Sequence, residues 1–147
     1  MQFRKAIPSD QPALDAMMHA SNGYPDGPKR AMITGYNCDL TPRDEYFGFL
    51  LEDERGIAGF YTLLRIDDAA WELDLLFTDN ARQGEGIGRK LMAHACDEAR
   101  ARGAVRMIIT SNPAAADFYR RIGARDVGVA APEGVMQWER PKLEISL

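Results

Sequence analysis

The stretch from Trp71 to Gly123 constrains the fold more than any other part of the chain. Trp71 to Thr78 alternates as a strand. It runs through Asp79-Asn80-Ala81-Arg82 into the glycine turn Gln83-Gly84-Glu85-Gly86-Ile87-Gly88. From Gly86 to Arg102 the spacing predicts a helix, with Ile87, Leu91, Ala95 and Ala99 four apart on one side and Gly103 as its stop. Val105 to Thr110 reads as a buried strand, and Pro113 to Ile122 as a second helix ended by Gly123. A helix start leaves backbone N–H groups unpaired and carries partial positive charge. Glycines there let an anion come close. The Walker pattern fails because Gly88 is followed by Arg89-Lys90-Leu91 rather than Lys-Ser/Thr. The dinucleotide fingerprint fails because Arg89 stands where its third glycine belongs. What remains is Q-x-x-G-x-G at Gln83, Gly86 and Gly88, which by itself also fits a turn that merely joins strand to helix.

Around this unit the chain alternates strand-like and helix-like segments. Gln2 to Ala6 predicts a first strand. Ser9 is placed to cap a helix carrying Leu14, Met17 and Met18. Ser21 to Asp39 is rich in Gly and Pro and reads as loop with room for a short helix. Thr41-Pro42 before Asp44 and Glu45 predicts another helix start. Tyr46 to Glu52 and Ile57 to Ile66 predict a hairpin turning at Asp53-Glu54-Arg55-Gly56. Two closing strands are expected near Asp126 to Ala130 and Val135 to Glu139. The 147 residues suit a single domain, 1–147, with one sizeable core.

Composition excludes more than it selects. A net charge of -4 argues against nucleic acid as a partner. No apolar run is long enough to cross a bilayer, and the first residues lack the apolar core of a signal peptide, so no membrane partner is expected. The two cysteines, Cys38 and Cys96, lie far apart, and the only histidines are His19 and His94. No metal site is expected, and reduced thiols in a cytoplasmic setting are the simplest reading.

The segment from Leu76 to Ala104 resembles the acetyl-CoA-binding motif of the GNAT superfamily of N-acetyltransferases. A second match follows. Asn112, Ala115, Phe118, Tyr119 and Gly123 stand in the pattern N-x-x-A-x-x-F-Y-x-x-x-G, in the family's order and separation. Thr78, Asn80 and Ala124 depart from the frequent Val, Pro and Phe. The resemblance implies an α/β (α+β) fold. Its central mixed, mostly antiparallel sheet would have about six to seven strands, flanked by about four helices. It implies acetyl-CoA as co-substrate and an amine acceptor, a small molecule or a peptide amine. It also allows a homodimer, because many relatives pair.

The resemblance distributes roles. Leu76, Phe77 and Thr78 would lie beside the acetyl and pantetheine arm, with a strand bulge there freeing an N–H for the thioester carbonyl. The N–H groups from Gly84 through Glu85, Gly86, Ile87 and Gly88 to Arg89 would meet the diphosphate, with Gln83 at the turn and Arg82, Arg89 and Lys90 supplying charge. Asn112 would hydrogen-bond the arm, or cap the helix at Pro113, or both. Tyr119 is the candidate acid for the departing thiolate, with a core aromatic as its other reading. A phenol near 10 against a thiol near 8.5 makes full proton transfer uphill by about 2 kcal/mol, so a hydrogen bond matters more. Glu72 and Asp74 alternate with Trp71, Leu73 and Leu75, which puts both carboxylates on one face. They are the candidate base, against the alternative of a salt-bridged pair on a solvated face. Tyr24, Tyr36, Tyr46 and Trp138 are candidate walls for the acceptor, or packing residues. The alternative function is a catalytically idle acyl-CoA-binding or sensor module.

Overall fold

The computed structural model describes residues 1–147. Seven strands form one sheet: β1 Gln2–Lys5, β2 Tyr46–Asp53, β3 Gly56–Arg65, β4 Ala70–Thr78, β5 Arg106–Thr110, β6 Arg125–Ala130 and β7 Arg140–Ser146. Their order across the sheet is β1-β2-β3-β4-β5-β7-β6. Only β4 and β5 are parallel; the other neighbours are antiparallel. Four helices accompany them: α1 Gln11–His19, α2 Pro28–Thr34, α3 Ile87–Ala101 and α4 Ala116–Arg121. The expected architecture is the observed one. No helix is long and apolar enough to cross a membrane.

The strand period of two sorts the core into two layers. Phe47, Leu63, Trp71, Leu73, Met107, Ile109 and Leu143 point to the face covered by α3 and α4. Leu50, Phe60 and Phe77 point to the other face, beneath α1 and α2. The predicted stripe of α3 is the buried one: Leu91, Ala95 and Ala99 are fully enclosed and Ile87 nearly so. Burying Leu91 alone is worth about 1.5–3 kcal/mol. Gly103, with φ 86°, then reverses the chain, and Ala104 N–H returns to the Ala99 carbonyl.

Three local expectations are corrected. The second helix lies at Pro28–Thr34, not after Thr41. Pro28 supplies its first residue, whereas the Asp39 carboxylate accepts the Thr41 N–H at 3.1 Å and closes a side-chain turn. The last strand is Arg140–Ser146; residues 135 to 139 belong to a loop whose Glu133 and Met136 form an isolated bridge. Pro141 does not break that strand, because it sits one residue from the strand's start and its carbonyl accepts the Ser111 N–H at 2.9 Å. Ser9 makes no cap. Asp10 occupies the turn instead, accepting the Ile7 N–H at 2.9 Å and a two-pronged contact from Arg4 at 2.8 and 2.9 Å.

Candidate active site

The parallel pair is short, and its shortness makes the site. β4 and β5 pair only from Ala70–Arg106 to Glu72–Ile108. Beyond Glu72 the strands part, and the β5-facing edge of β4 has no strand partner. A cavity of about 670 Å³ opens in this split, of a size suited to a cofactor or small ligand. Leu76, Phe77 and Thr78 line one wall and Ile109 to Asn112 the other. Leu76, Phe77 and Thr78 keep regular pairing to Tyr61, Phe60 and Gly59 on β3. The bulge lies farther back: Thr62 pairs with Leu75 and Leu63 with Leu73, so Asp74 is the extra residue.

The start of α3 closes one end. Gly84 and Gly86 hold φ of 85° and 74°, the left-handed region that favours glycine. The first backbone bond of the helix runs from the Lys90 N–H to the Gly86 carbonyl, so the N–H groups of Ile87, Gly88 and Arg89 have no acceptor within the helix. These three residues line the cavity together with Gln83, Gly84 and Gly86. Glu85 does not line it. Its carboxylate turns to Arg55 at 2.7 Å and Arg82 at 3.3 Å, because the glycine turn points its side chain outward. Arg82 is likewise committed. Its guanidinium is 4% exposed and grips Asp53 at 3.0 and 2.6 Å, which ties the turn to the end of β2. Its role is to fix the loop, not to supply a free charge.

That clamp predicts an acid response. Arg82, then the Arg55 backbone N–H, holds the Asp53 carboxyl down at about 2. A depressed carboxyl contributes stability that is fully present above its unfolded value, about 3.9. That stability is lost as pH falls from about 4 toward 2. The Tm of the protein should therefore drop more steeply over this interval than that of Asp53→Asn, which should already be less stable at neutral pH. Parallel Tm curves for the two proteins would show that the clamp carries no such linkage.

Tyr119 and Asn112 form the remaining walls. Tyr119 is 7% exposed, and burial, with Tyr24 adding a little, raises its hydroxyl well above the ordinary phenol value. It stays protonated and is suited to donate a hydrogen bond rather than to give up its proton. Phe118 packs edge-on against it at 5.2 Å between centroids. Asn112 caps the turn before α4, accepting the Ala114 N–H at 3.4 Å, and its amide donates to the Gly23 carbonyl at 2.7 Å. Asn80, across the cavity mouth, accepts the Asn22 N–H at 3.1 Å and donates to the Ala20 carbonyl at 2.6 Å. The segment Ala20 to Gly23 is thus pinned from both sides as a roof. Tyr24 continues it inward, stacked at 6.0 Å on Phe77.

At the other end stand the two carboxylates. Trp71 and Leu73 face the α3 layer, so Glu72 faces away from it. Asp74 lines the cavity; Glu72 does not. The Tyr46 hydroxyl donates to Asp74 at 2.7 Å and lies 3.0 Å from the Thr62 hydroxyl, which is fully buried. A phenol has one proton, so Thr62 donates to Tyr46 and Tyr46 to Asp74. Glu72 has no ion-pair or hydrogen-bond partner. Burial first, and then Asp74, pushes its carboxyl up, against opposing pulls from Lys142 and Arg140. The salt-bridged alternative for this pair is not what the side chains adopt. Of the other candidate walls, Tyr36 is exposed and Trp138 packs under the Lys29 ammonium at 5.3 Å. The Tyr46 contact was not legible as a site. Leu73 and Leu75 would share one face of a regular strand, but Leu73 packs in the α3 layer and Leu75 in the opposite one, because the bulge at Asp74 reverses the alternation.

A sheet that splits between two parallel strands, with a helix start at the mouth of the split, is an arrangement shared with solved N-acetyltransferases. An aminoglycoside 6'-N-acetyltransferase complexed with coenzyme A superposes with a TM-score of 0.71 at 16% identity, over 98% of this chain and 94% of that one. The ribosomal-protein-S18-alanine N-acetyltransferase of Escherichia coli gives 0.73 at 19% identity, over 99% and 92%. At such identities the likeness is one of fold. In sequence, a stretch of 74 residues, 50% of this chain, is 36% identical to the N-alpha-acetyltransferase RimI of Mycobacterium tuberculosis. A stretch of 61 residues, 41% of this chain, is 43% identical to an acetyltransferase of Agrobacterium fabrum. These matches span 47% and 44%, about half, of those relatives' own lengths. The model of the acetyltransferase (GNAT) family matches residues 13–124, and the chain belongs to that family.

Proposed function

We propose that this chain is an acetyl-CoA-dependent N-acetyltransferase that moves an acetyl group to a primary amine by direct attack in a ternary complex. One observation carries the reading. The split between β4 and β5 joins unpaired helix N–H groups at Ile87 to Arg89 with the carboxylate of Asp74 in a single cavity. Those two ends are what a phosphate-bearing acyl donor and an attacking amine respectively require.

The bound donor supplies a thioester-activated acetyl group. The chain's residues do the rest. The first turn of α3 holds the diphosphate through its N–H groups. The unpaired edge of β4 from Leu73 to Thr78 receives the arm and offers backbone donors to the carbonyl oxygen, where negative charge develops. Asp74, or Glu72 through water, takes the proton from the amine. Tyr119, kept protonated by burial, hydrogen-bonds the leaving sulfur. Asn112 sets the roof over the arm by holding Gly23.

Two measurements test this. Acetyl-CoA should raise the Tm in a concentration-dependent way, by linkage to the folded state. A panel of amines should then give CoA release with at least one acceptor. Absence of any thermal shift removes the donor assignment. A shift without turnover across the panel would leave an acyl-CoA sensor as the better description.

A further inference from the structure

The face of the sheet that carries Glu72 and Asp74 is divided by charge. Leu143 and Ile109 point into the α3 layer, so Arg140 and Lys142 on β7, and Thr110 on β5, point to the opposite face with Glu72. The register places Glu72 beside Ile108, Ile108 beside Glu144, and Thr110 beside Lys142. β7 lies two strands from β4, about 10 Å away at ordinary strand spacing.

The charges on this face are unevenly satisfied. Glu144 is paired with Arg125 at 3.2 Å. Arg140 and Lys142 have no carboxylate partner. Arg140 gives one guanidinium N–H to the Ala131 carbonyl at 3.2 Å, while its Nε is buried with no acceptor at all. Across β5, neither Glu72 nor Asp74 has a cation. The two sets sense each other, since Lys142 and Arg140 both act on the Glu72 carboxyl, but no side chain bridges them. A donor without an acceptor is unfavourable, and so are half-buried carboxylates without a cation. One ligand that brings a cation to β4 and an anion to β7 would give both sets of charges a counter-charge.

We propose that the acceptor is an amine that also bears an anionic group, a carboxylate or phosphate several bonds away, with its nitrogen at Glu72 and Asp74 and its anion at Arg140 and Lys142. This rests on the acetyl-transfer reading above. It also sets a direction of specificity. Polycationic acceptors would meet Arg140 and Lys142 with like charge, and simple alkylamines would leave both cations without a counter-charge.

The test uses matched linear amines on the full chain with acetyl-CoA: 6-aminohexanoate, pentylamine and 1,6-diaminohexane, with 5-aminopentyl phosphate as a second anion. CoA release gives kcat/KM. The anionic amines should exceed pentylamine by roughly tenfold or more, the worth of one charge-assisted hydrogen bond, and the diamine should be the poorest. In Arg140→Ala/Lys142→Ala the preference should collapse toward one, chiefly through a higher KM for the anionic amines. In Lys142→Glu the order should invert toward the diamine. A carboxylate that outperforms the phosphate, or the reverse, identifies which anion the pole prefers and supports it either way. Equal kcat/KM across the matched set, or a preference that survives both variants, overturns the proposal while leaving acetyl transfer intact. Failure of every amine to release CoA overturns the transfer reading itself, and the acceptor proposal with it.

Discussion

Replacing Glu72 and Asp74 together by alanine is expected to lower turnover by about two orders of magnitude or more, the usual worth of a positioned base, while acetyl-CoA binding stays near normal. The reason is positional. Both carboxylates lie where β4 leaves β5, and the helix N–H groups assigned to the donor lie at the other end of the same strand. The double variant therefore removes the proton acceptor without touching the diphosphate end. Single variants divide the work. Asp74 lines the cavity and is held by Tyr46, whereas Glu72 has no partner and a carboxyl raised by burial. A base must be unprotonated, so the rate should climb as pH rises through the raised value of Glu72 if Glu72 is the base. In Glu72→Gln that climb should disappear. In Asp74→Asn it should persist at reduced height. Stopped-assay CoA release across a pH series reads this out. Unchanged turnover in the double alanine variant removes the assignment.

What the sequence made legible was local. Ile87, Leu91, Ala95 and Ala99 announce a helix face by spacing alone, and all four are buried. The glycine turn needs residues that accept positive φ, and Gly84 and Gly86 adopt it. What stayed hidden depends on partners distant in the chain. Arg82 looks like a free charge beside a phosphate turn until Asp53, 29 residues earlier, is seen to occupy it. The bulge at Asp74 depends on pairing with Thr62 and Leu63 on another strand. The placement of Arg140 and Lys142 on the face that carries Glu72 depends on β7 entering between β5 and β6, a topology that no periodicity in the last residues encodes. Arg140-Pro141 reads as a break in sequence, yet the alternation of Lys142, Leu143, Glu144 and Ile145 drives a strand because Leu143 has a fully buried place to go.

Gly88→Val should impair the protein as an enzyme far more than as a fold. A β-carbon on Gly88 would lie 3.0 Å from Phe118 Cζ and 3.2 Å from its Cε1, so the first turn of α3 and α4 touch through the absence of a side chain. Valine has a better helix propensity than the glycine it replaces, and the stripe of Leu91, Ala95 and Ala99 is untouched, so folding should persist. The Phe118 ring, however, must give way to the larger side chain, and α4, which carries it, is expected to shift. Tyr119 is the next residue on α4, and Asn112 caps the turn leading into it. A displacement near 1 Å of groups that orient the reacting atoms costs on the order of a hundredfold in rate. The expected result is a fall in kcat of that order, with weaker thermal stabilisation by acetyl-CoA, because the same β-carbon stands at the helix N–H groups. Gly88→Ala should fall between the two proteins, since one β-carbon demands only a small shift of the ring. The signature of steric cause is rescue. Gly88→Val/Phe118→Ala, which removes the opposing ring, should regain part of the lost acetyl-CoA stabilisation even if turnover stays low. Wild-type kcat in Gly88→Val, or no recovery of binding in the double variant, would mean that the α3–α4 contact does not position Tyr119, and the split between β4 and β5 would have to orient the donor without it.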